Sequence, residues 1–349
     1  MPERLKLSAF IAPGGDVRAA LDRAVQLEEA GLDVIGVAEA YGTDAVSLLG
    51  SLAVRTTRAE LMSQILPIYS RTPTLTAMTA AGLDFASEGR FLLGLGASGP
   101  QVIEGWHGVP YDAPLGRTRE VVEICRKVWR RERLEHDGRY YQLPLPAEKG
   151  TGLGKPLKLI SHPVRNRIPV WLAALGDKNV ELAAEIADGW IPFLYLPDRA
   201  HLVWGDSLDR GRKKRDPSLG PLQILAGGPM AIGEDVTHLR DRARPNISLY
   251  VGGMGARGKN FYNNVARRYG FEDEAARIQD LYLDGRKDEA AAAVPEAMLE
   301  GSSLIGDEAY VRDKLRAYAD AGVTILQIDP VGADPIADVR RLRALVDEL

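Results

Sequence analysis

Two side chains able to move a proton stand in loops that follow predicted strands. Glu39 comes directly after the apolar run at residues 34–38, and a carboxylate that emerges from a buried strand is a candidate acid or base. His107 lies in a loop beside Trp106, and imidazole is an attractive proton donor because it titrates near neutrality. We predict Glu39 and His107 as catalytic residues. Each also has a structural alternative, a surface loop acid or a histidine that satisfies a loop carbonyl.

Small residues mark the ends of two later predicted strands. They would let a planar ligand come close to the backbone, and Gly176 begins a predicted helix whose free N–H groups favour an anion. A ligand with a flat ring and a phosphate would satisfy both loops, although glycine-rich strand ends also arise for structural reasons. The predicted contacts in these loops are Gly96, Ala97, Ser98, Ala173, Ala174, Leu175, Gly176, Asp177 and Lys178.

Metal and nucleophile chemistry have little support in the sequence. The five histidines include no pair at metal-ligand spacing, so we expect no metal centre. The single cysteine, Cys125, lies in an apolar pattern typical of a buried helix. No G-x-S-x-G motif is present, which weakens a hydrolase interpretation.

The elements that must position these residues alternate between strand and helix. The predicted strands cover residues 5–12, 34–38, 61–66, 90–96, 168–173, 189–195, 222–232 and 323–328. Eight strands that each feed a helix indicate an α/β fold, a closed (β/α)8 TIM barrel, better than a doubly wound sheet. We expect one domain over residues 1–349, with rim insertions at about 138–167 and 249–305. In such a barrel the chemistry lies at the carboxyl ends of the strands.

The charge and hydropathy of the sequence limit the classes of partner that we expect. The 349 residues carry a net charge of −4, which gives no reason to expect a nucleic-acid partner. No window approaches the roughly 18 apolar residues of a membrane span. The first residues lack the apolar region of a signal peptide. We therefore expect a cytoplasmic protein without a membrane partner.

Several segments, taken in order, resemble the luciferase-like monooxygenase superfamily, especially its actinobacterial coenzyme F-420-dependent oxidoreductases. The matching segments are residues 32–42, 71–73, 89–96, 98–102, 105–110, 172–176, 186–190 and 260–263. The resemblance implies a flavin-like cofactor, coenzyme F-420, and hydride transfer to or from a small organic substrate. The Asp-His pair of the family's sugar-phosphate dehydrogenases is absent, and Glu39 stands between two alanines, so a sugar-phosphate substrate is doubtful.

The resemblance also implies roles for individual positions. Gln64 and Ile65 match a non-prolyl cis peptide that supports the cofactor ring. Residues 96–98 match positions beside the ring, and residues 173–178 match the segment that takes the cofactor phosphate. Glu39 occupies a position that reaches the ring or the substrate.

Two alternatives remain open: an FMN-dependent luciferase-like monooxygenase served by a flavin reductase, and a non-catalytic cofactor-binding homologue.

The resemblance implies a homodimer through helices of the second and third βα units. Four residues there would allow close helix contact: Ala77, Met78, Ala80 and Ala81.

Four aromatic residues could cover the site: Phe193, Tyr195, Phe261 and Tyr262. Four arginines could meet the cofactor's acidic tail: Arg165, Arg167, Arg267 and Arg268.

Overall fold

A computed structural model describes residues 4–12 and 14–349. The sequence analysis predicts no signal peptide in the first residues of the chain. Residues 1–3 of that segment lie outside the described residues. In the described chain, eight parallel strands close into a barrel, with β7 hydrogen-bonded to both β6 and β8. The strands are β1 (Lys6–Phe10), β2 (Val34–Val37), β3 (Glu60–Ser63), β4 (Phe91–Gly96), β5 (Val170–Ala173), β6 (Gly189–Ile191), β7 (Gln223–Ile232) and β8 (Ile325–Pro330). The predicted TIM barrel is confirmed.

Each strand leads to a helix on the outside of the barrel. These helices are α1 (Val17–Glu29), α2 (Ala45–Arg55), α3 (Pro73–Ala86), α4 (Pro114–Trp129), α5 (Asp177–Ile186), α6 (Ala200–Arg212), α7 (Glu308–Asp320) and α8 (Pro335–Asp347). Local sequence explains several helix starts: the side chains of Asp16, Asp44 and Thr72 accept hydrogen bonds from first-turn amides. Among the residues that the structure describes, no helix is long and apolar enough to cross a membrane.

The barrel interior changes character along the strands. Its lower layer is an apolar cluster of Val34, Met62, Leu92, Trp171, Leu225 and Ile325. Because side chains alternate between the two faces of a strand, the residues two positions further along face the same interior. Those residues are Gly36, Gln64, Gly94, Ala173, Gly227 and Gln327. The barrel is therefore filled below, and its carboxyl end, which we call the mouth, has a floor of small side chains and two amides.

The insertions differ in structure. The first is mostly irregular and follows a hairpin of His136–Asp137 paired with Gln142–Leu143. The second begins earlier than expected, directly after β7, and is helical. It contains the helical segments Thr237–Ala243, Arg244–Ser248, Leu249–Gly253, Phe261–Arg268, Glu272–Leu283, Lys287–Ala292 and Glu296–Gly301. A short strand, Leu304–Gly306, then pairs with β7 before α7 begins.

Candidate active site

The third strand breaks where the sequence predicted the cofactor ring. The peptide bond between Gln64 and Ile65 is cis, as the resemblance implied. The chain leaves the sheet at Ser63 and rejoins it at Leu66–Pro67, which pairs with β4. We call residues 63–65 the bulge.

Strand β4 is glycine-rich because it packs against this bulge. A Cβ on Gly94 would lie 1.8 Å from the carbonyl oxygen of Ser63. A Cβ on Gly96 would lie 2.8 Å from Cδ1 of Ile65 and 3.5 Å from Cβ of Ala173. Internal packing therefore explains Gly96, which the sequence analysis assigned to ligand approach. The same arrangement brings together three predicted cofactor-binding residues, Ile65, Gly96 and Ala173, from different parts of the chain.

The side chain of Gln64 turns into the barrel and begins a hydrogen-bonded row. Its Nε2 donates to Ser8 Oγ at 3.4 Å, and the Ser8 hydroxyl donates to Oε1 of Gln327 at 3.0 Å. A Cβ on Gly36 would meet Cδ of Gln64 at 2.5 Å, so Gly36 makes room for the amide. Gln64 is only 8% exposed, and its Oε1 has no hydrogen-bond partner within the described residues. Buried polar atoms are normally paired, so this acceptor points to a donor from outside the protein.

Glu39 is held tightly by its neighbours. Arg71, from the loop after the bulge, donates to both carboxylate oxygens, with an Nη2–Oε2 distance of 2.9 Å. The backbone N–H of Ala45 at the start of α2 donates to Oε2 at 3.0 Å. Both side chains of the ion pair are largely buried. Glu39 thus joins the second and third strand loops, a geometry that favours a positioning role.

His107 lies in the long loop between β4 and α4. Its backbone N–H donates to Val102 O at 3.1 Å, while its ring Nε2 is buried and has no partner in the part of the chain that the structure describes. The same loop reaches the second-strand loop, where the rings of Trp106 and Tyr41 are 6.4 Å apart. Also in this loop, Ser98 adopts a φ of 57° and its carbonyl accepts from the Tyr111 hydroxyl.

Three aromatic side chains form a cluster over the mouth. Phe193, which follows β6, has its ring centroid 4.1 Å from that of Tyr250 and 5.2 Å from that of Tyr262. Burial raises the pKa of Tyr262 to about 12 and raises the pKa of Tyr250 as well, so both hydroxyls stay protonated near neutrality. We call these three residues the aromatic cover.

The predicted cover was only partly right. Tyr250 belongs to it although the sequence analysis did not name it. Tyr195 does not, because its ring stacks on Trp204 and its hydroxyl donates to Ala321 O on the outside of the barrel. Phe261 lies over the fifth-strand loop instead.

The fifth-strand loop opens into a cavity of about 450 Å³. Gly176 precedes α5 and supplies no side-chain cap, so the first N–H groups of that helix lack a cap. The lining residues are Leu175, Gly176, Asp177, Phe261, Asn264, Val265, Arg267 and Arg268. A Cβ on Gly176 would lie 3.0 Å from the Phe261 ring, so the cavity runs beside this ring.

The charged groups near this cavity come from an unexpected element. Arg267 and Arg268 belong to the insertion helix Phe261–Arg268, and Arg268 pairs with Asp177 at 2.8 Å. Arg267 donates its Nε to Asn263 at 2.7 Å. Lys178 instead turns towards Glu181, at 3.6 Å, with its side chain 75% exposed. Its predicted role in holding the phosphate therefore stays a prediction.

The other two arginines suggested for an acidic tail are far from the mouth. Arg165 pairs with Asp84 and donates to Phe91 O, at the start of β4. Arg167 pairs with Asp188, which precedes β6. Both therefore lie at the amino ends of the strands, and the suggestion that they meet a ligand tail is wrong.

One acidic residue of the mouth was missed. Asp329 lies near the end of β8, on the same face as Ile325 and Gln327. The residue is reached by solvent, yet the surrounding walls desolvate its carboxyl enough to raise its pKa. The signal that selected Glu39, a carboxylate after an apolar run, also applies to Asp329. Asp329 directly follows the predicted strand at residues 323–328, as Glu39 follows the strand at residues 34–38, but the rule was applied only to Glu39.

A larger groove of about 730 Å³ lies outside the barrel, between α6 and α7. Its walls include Trp204, Leu208 and Asp313. It is remote from the strand ends where TIM barrels carry their chemistry, so we place the site at the mouth.

Comparison with known proteins agrees with this fold. Residues 6–324 match the family model of the luciferase-like monooxygenases. A Mycobacterium tuberculosis protein with the provisional name of a coenzyme F-420-dependent oxidoreductase is 41% identical over 318 residues, which cover 90% of this chain and 91% of that protein. The chain therefore belongs to the luciferase-like monooxygenase family and is an oxidoreductase.

Solved structures share the fold. The coenzyme F-420-dependent tetrahydromethanopterin reductase from Methanopyrus kandleri superposes with a TM-score of 0.81 at 22% identity, covering 99% of each chain. The oxygenating constituent of 3,6-diketocamphane monooxygenase from Pseudomonas putida, in complex with FMN, gives a TM-score of 0.64 at 20% identity, covering 98% of each chain. Structures of this fold thus include enzymes named for coenzyme F-420 and enzymes solved with FMN.

Proposed function

We propose that the protein is a coenzyme F-420-dependent oxidoreductase that transfers a hydride to or from a small organic substrate. The observation that carries the proposal is the unpaired, buried Oε1 of Gln64 beside the cis bulge. A deazaflavin has an N–H in its uracil-like ring and could donate to this oxygen. The 41% identical relative named for coenzyme F-420 supports the same cofactor.

The ring would lie against the bulge. Ile65 and Ala173 both lie next to Gly96 there, and the three residues present small or apolar surface. The neighbouring loop residues Ala97 and Ser98 would border the ring edge. When bound, the deazaflavin supplies a carbon centre that accepts or gives a hydride and reacts poorly with oxygen.

The phosphate would bind where α5 begins. The uncapped N–H groups after Gly176 favour an anion, and the cavity leaves space for it beside Phe261. Ala174 and Leu175 would complete this loop, with Asp177 and Arg268 held as a pair at its edge. Arg267, which lines the same cavity, could face an acidic cofactor tail.

The remaining side chains would control protons and water. The aromatic cover can exclude water from the mouth, because its rings pack together above the strand ends. His107, with its unpaired Nε2, can hold or deliver a proton. Glu39 keeps its proposed place in catalysis, and its pairing with Arg71 suggests that it acts by fixing the two loops.

A second candidate cofactor is FMN, favoured by the FMN complex among the structures of this fold. The protein would then be a monooxygenase that needs a flavin reductase as partner. A third candidate, a cofactor-binding homologue without turnover, would keep the same site.

Cofactor binding tests the proposal directly. The purified protein is titrated with coenzyme F-420 and, separately, with FMN, while the quenching of ligand fluorescence is followed. We expect tight binding of coenzyme F-420 and its loss in Gly176→Trp, because the indole would fill the phosphate cavity. Gly205→Trp is the matched control, since Gly205 lines the outer groove and has only His201 near its Cβ position, at 3.9 Å.

Each outcome separates the candidates. Tight FMN binding with no deazaflavin binding would favour the monooxygenase. Binding without turnover of any reducible substrate would favour the non-catalytic homologue. Equal binding by Gly176→Trp and the unmodified protein would place the phosphate elsewhere and remove the structural basis of the proposal.

We also propose a cytoplasmic homodimer. Ala77, Ala80 and Ala81 are buried within their own chain, so they cannot form the contact that the sequence suggested. Exposed apolar side chains on α2 and α3, namely Val54, Leu75, Met78 and Phe85, offer a surface for it instead. Sedimentation of the unmodified protein and of Phe85→Lys would test this, with dissociation expected in the variant.

A further inference from the structure

We propose that Asp329 is the carboxyl group that exchanges a proton with the substrate at the mouth. The inference rests on the proposed function and assigns the proton donor that the sequence analysis sought in Glu39 or His107. It also assigns a substrate class, ketones with apolar substituents and the corresponding secondary alcohols.

Strand geometry directs Asp329 into the mouth. Ile325 belongs to the interior cluster, and Gln327 bonds to Ser8 inside the barrel. Side chains two residues apart on a strand share a face, so Asp329 continues this row towards the opening. The row leads through Ser8 to Gln64, so the carboxyl and the bulge border the same floor.

The immediate neighbours of Asp329 are apolar. Pro229 of β7 is its partner in the sheet register. On the other side, the pairing of Ala9 with Ile328 places Phe10 of β1 next to it. Phe10 is 51% exposed, which is high for an aromatic ring at the end of a barrel strand. A substrate that reaches Asp329 would therefore meet apolar surface on both sides of the acid.

Asp329 is also free of the contacts that occupy Glu39. Across residues 4–12 and 14–349, its carboxylate makes no ion pair within 4 Å and no side-chain hydrogen bond. The charged groups that influence it are Arg23 of α1 and Arg242 of the insertion, and both lower its pKa less than burial raises it. A carboxyl whose pKa moves towards neutrality can both give and accept a proton.

The chemical step balances with the hydride transfer. In the reducing direction, the carbonyl carbon of the substrate receives the hydride with its electron pair, and the C=O π bond breaks. The carbonyl oxygen then takes the proton of Asp329, whose O–H bond breaks to leave a carboxylate. In the oxidising direction, the carboxylate takes the hydroxyl proton as the hydride leaves the carbinol carbon.

The test compares Asp329→Asn with Asp320→Asn, a control at the exposed end of α7. Both proteins are first titrated without cofactor by ¹³C NMR of their aspartate carboxyls. Burial raises the pKa of Asp338 as well as that of Asp329, so we expect two resonances with a raised pKa in the unmodified protein and in the control, and the loss of one of them in Asp329→Asn. The same proteins, loaded with reduced coenzyme F-420, are then assayed with a panel of small apolar ketones over a range of pH.

We expect Asp329→Asn to bind the cofactor as the unmodified protein does but to reduce ketones about 10²–10⁴-fold more slowly, the range for loss of a general acid. The rate of the unmodified protein should fall as pH rises through the pKa of Asp329, and this fall should vanish in the variant. Bound cofactor with an unchanged rate and pH profile in Asp329→Asn would overturn the inference and leave the proposed function intact. Absence of cofactor binding by the unmodified protein would overturn the proposed function itself, and turnover of no ketone would overturn the substrate class.

Discussion

Polar side chains at the two ends of the barrel differ in whether they have hydrogen-bond or ion-pair partners. At the amino end, carboxylates cap strand amides and pair with arginines: Asp33 Oδ2 accepts from Leu7 N at 2.8 Å and from Arg343 at 2.9 Å. Asp188 repeats the pattern with Val170 N at 2.8 Å and Arg167. At the mouth, by contrast, Oε1 of Gln64, Nε2 of His107 and the carboxylate of Asp329 have no such partners within the described residues.

This difference separates stability from function. The carboxylates of the network at the amino end are all paired and hold the strands in register, although Nε of Arg343 lacks a partner among the residues that the structure describes. Unpaired groups at the carboxyl end cost stability unless a ligand satisfies them. The comparison therefore predicts that substitutions at the amino end change folding and that substitutions at the mouth change binding.

The largest effect is expected from Asp84→Ala at the amino end. Asp84 is fully buried, pairs with Arg165 and accepts a hydrogen bond from Phe91 N at 3.3 Å. Removing one partner of such a pair leaves the other uncompensated, and we expect the free energy of unfolding to fall by about 3–5 kcal/mol. Urea denaturation measures this. A loss below about 1 kcal/mol, the level of an exposed pair, would contradict the comparison.

The sequence predicted the elements better than the contacts of their side chains. Apolar periodicity located all eight barrel strands, because the burial of an element determines the spacing of apolar residues along its own sequence. The alternation of predicted strands and helices also identified the residues of the mouth that follow β2, β4 and β5. The cis bond at Gln64 followed from the resemblance alone.

Errors arose where distant parts of the chain meet. Leu194 adopts a φ of 52°, and the chain then carries Tyr195 out to α6 instead of over the mouth. Arg267 and Arg268 were named from the sequence, but the sequence did not show that they line the cavity at the start of α5, because this depends on the second insertion folding back onto α5. These contacts between distant segments are not encoded in local spacing. Asp329 is different, because it directly follows the predicted strand at residues 323–328 and the signal that selected Glu39 could have found it.

An intermediate effect, on binding instead of folding, is expected from Gln64→Leu. The variant removes an unsatisfied oxygen together with two weak hydrogen bonds from Nε2, to Ser8 Oγ at 3.4 Å and to Met62 Sδ at 3.3 Å, so the free energy of unfolding should change by less than about 1 kcal/mol. Affinity for coenzyme F-420 should fall about tenfold, equivalent to about 1.4 kcal/mol. Fluorescence quenching and urea denaturation measure the two quantities.

Gln279→Leu provides the matched control for that variant. Gln279 is also buried, and its Nε2 also lacks a partner within the described chain, but it lies on the insertion helix Glu272–Leu283. Its replacement should leave cofactor affinity unchanged. A similar loss of affinity in both variants would mean that general loosening, and not the mouth oxygen, controls binding.

The smallest effect is a pH-dependent gain in stability from Asp329→Asn. Burial raises the folded-state pKa of Asp329 above its unfolded value, so the folded protein holds this proton more tightly. Its contribution to stability is therefore present below the unfolded pKa and is lost as pH rises through the folded pKa. Asparagine cannot titrate, so the variant should avoid this loss near neutrality and show no advantage in acid.

Thermal unfolding of the cofactor-free proteins at a series of pH values measures this difference. Asp188→Asn should behave in the opposite way, because its carboxylate accepts from Val170 N and pairs with Arg167, contacts that a neutral amide cannot reproduce. It should destabilise the protein. Stabilisation by both variants, or by neither, would show that the two ends of the barrel do not differ in how they hold a carboxylate.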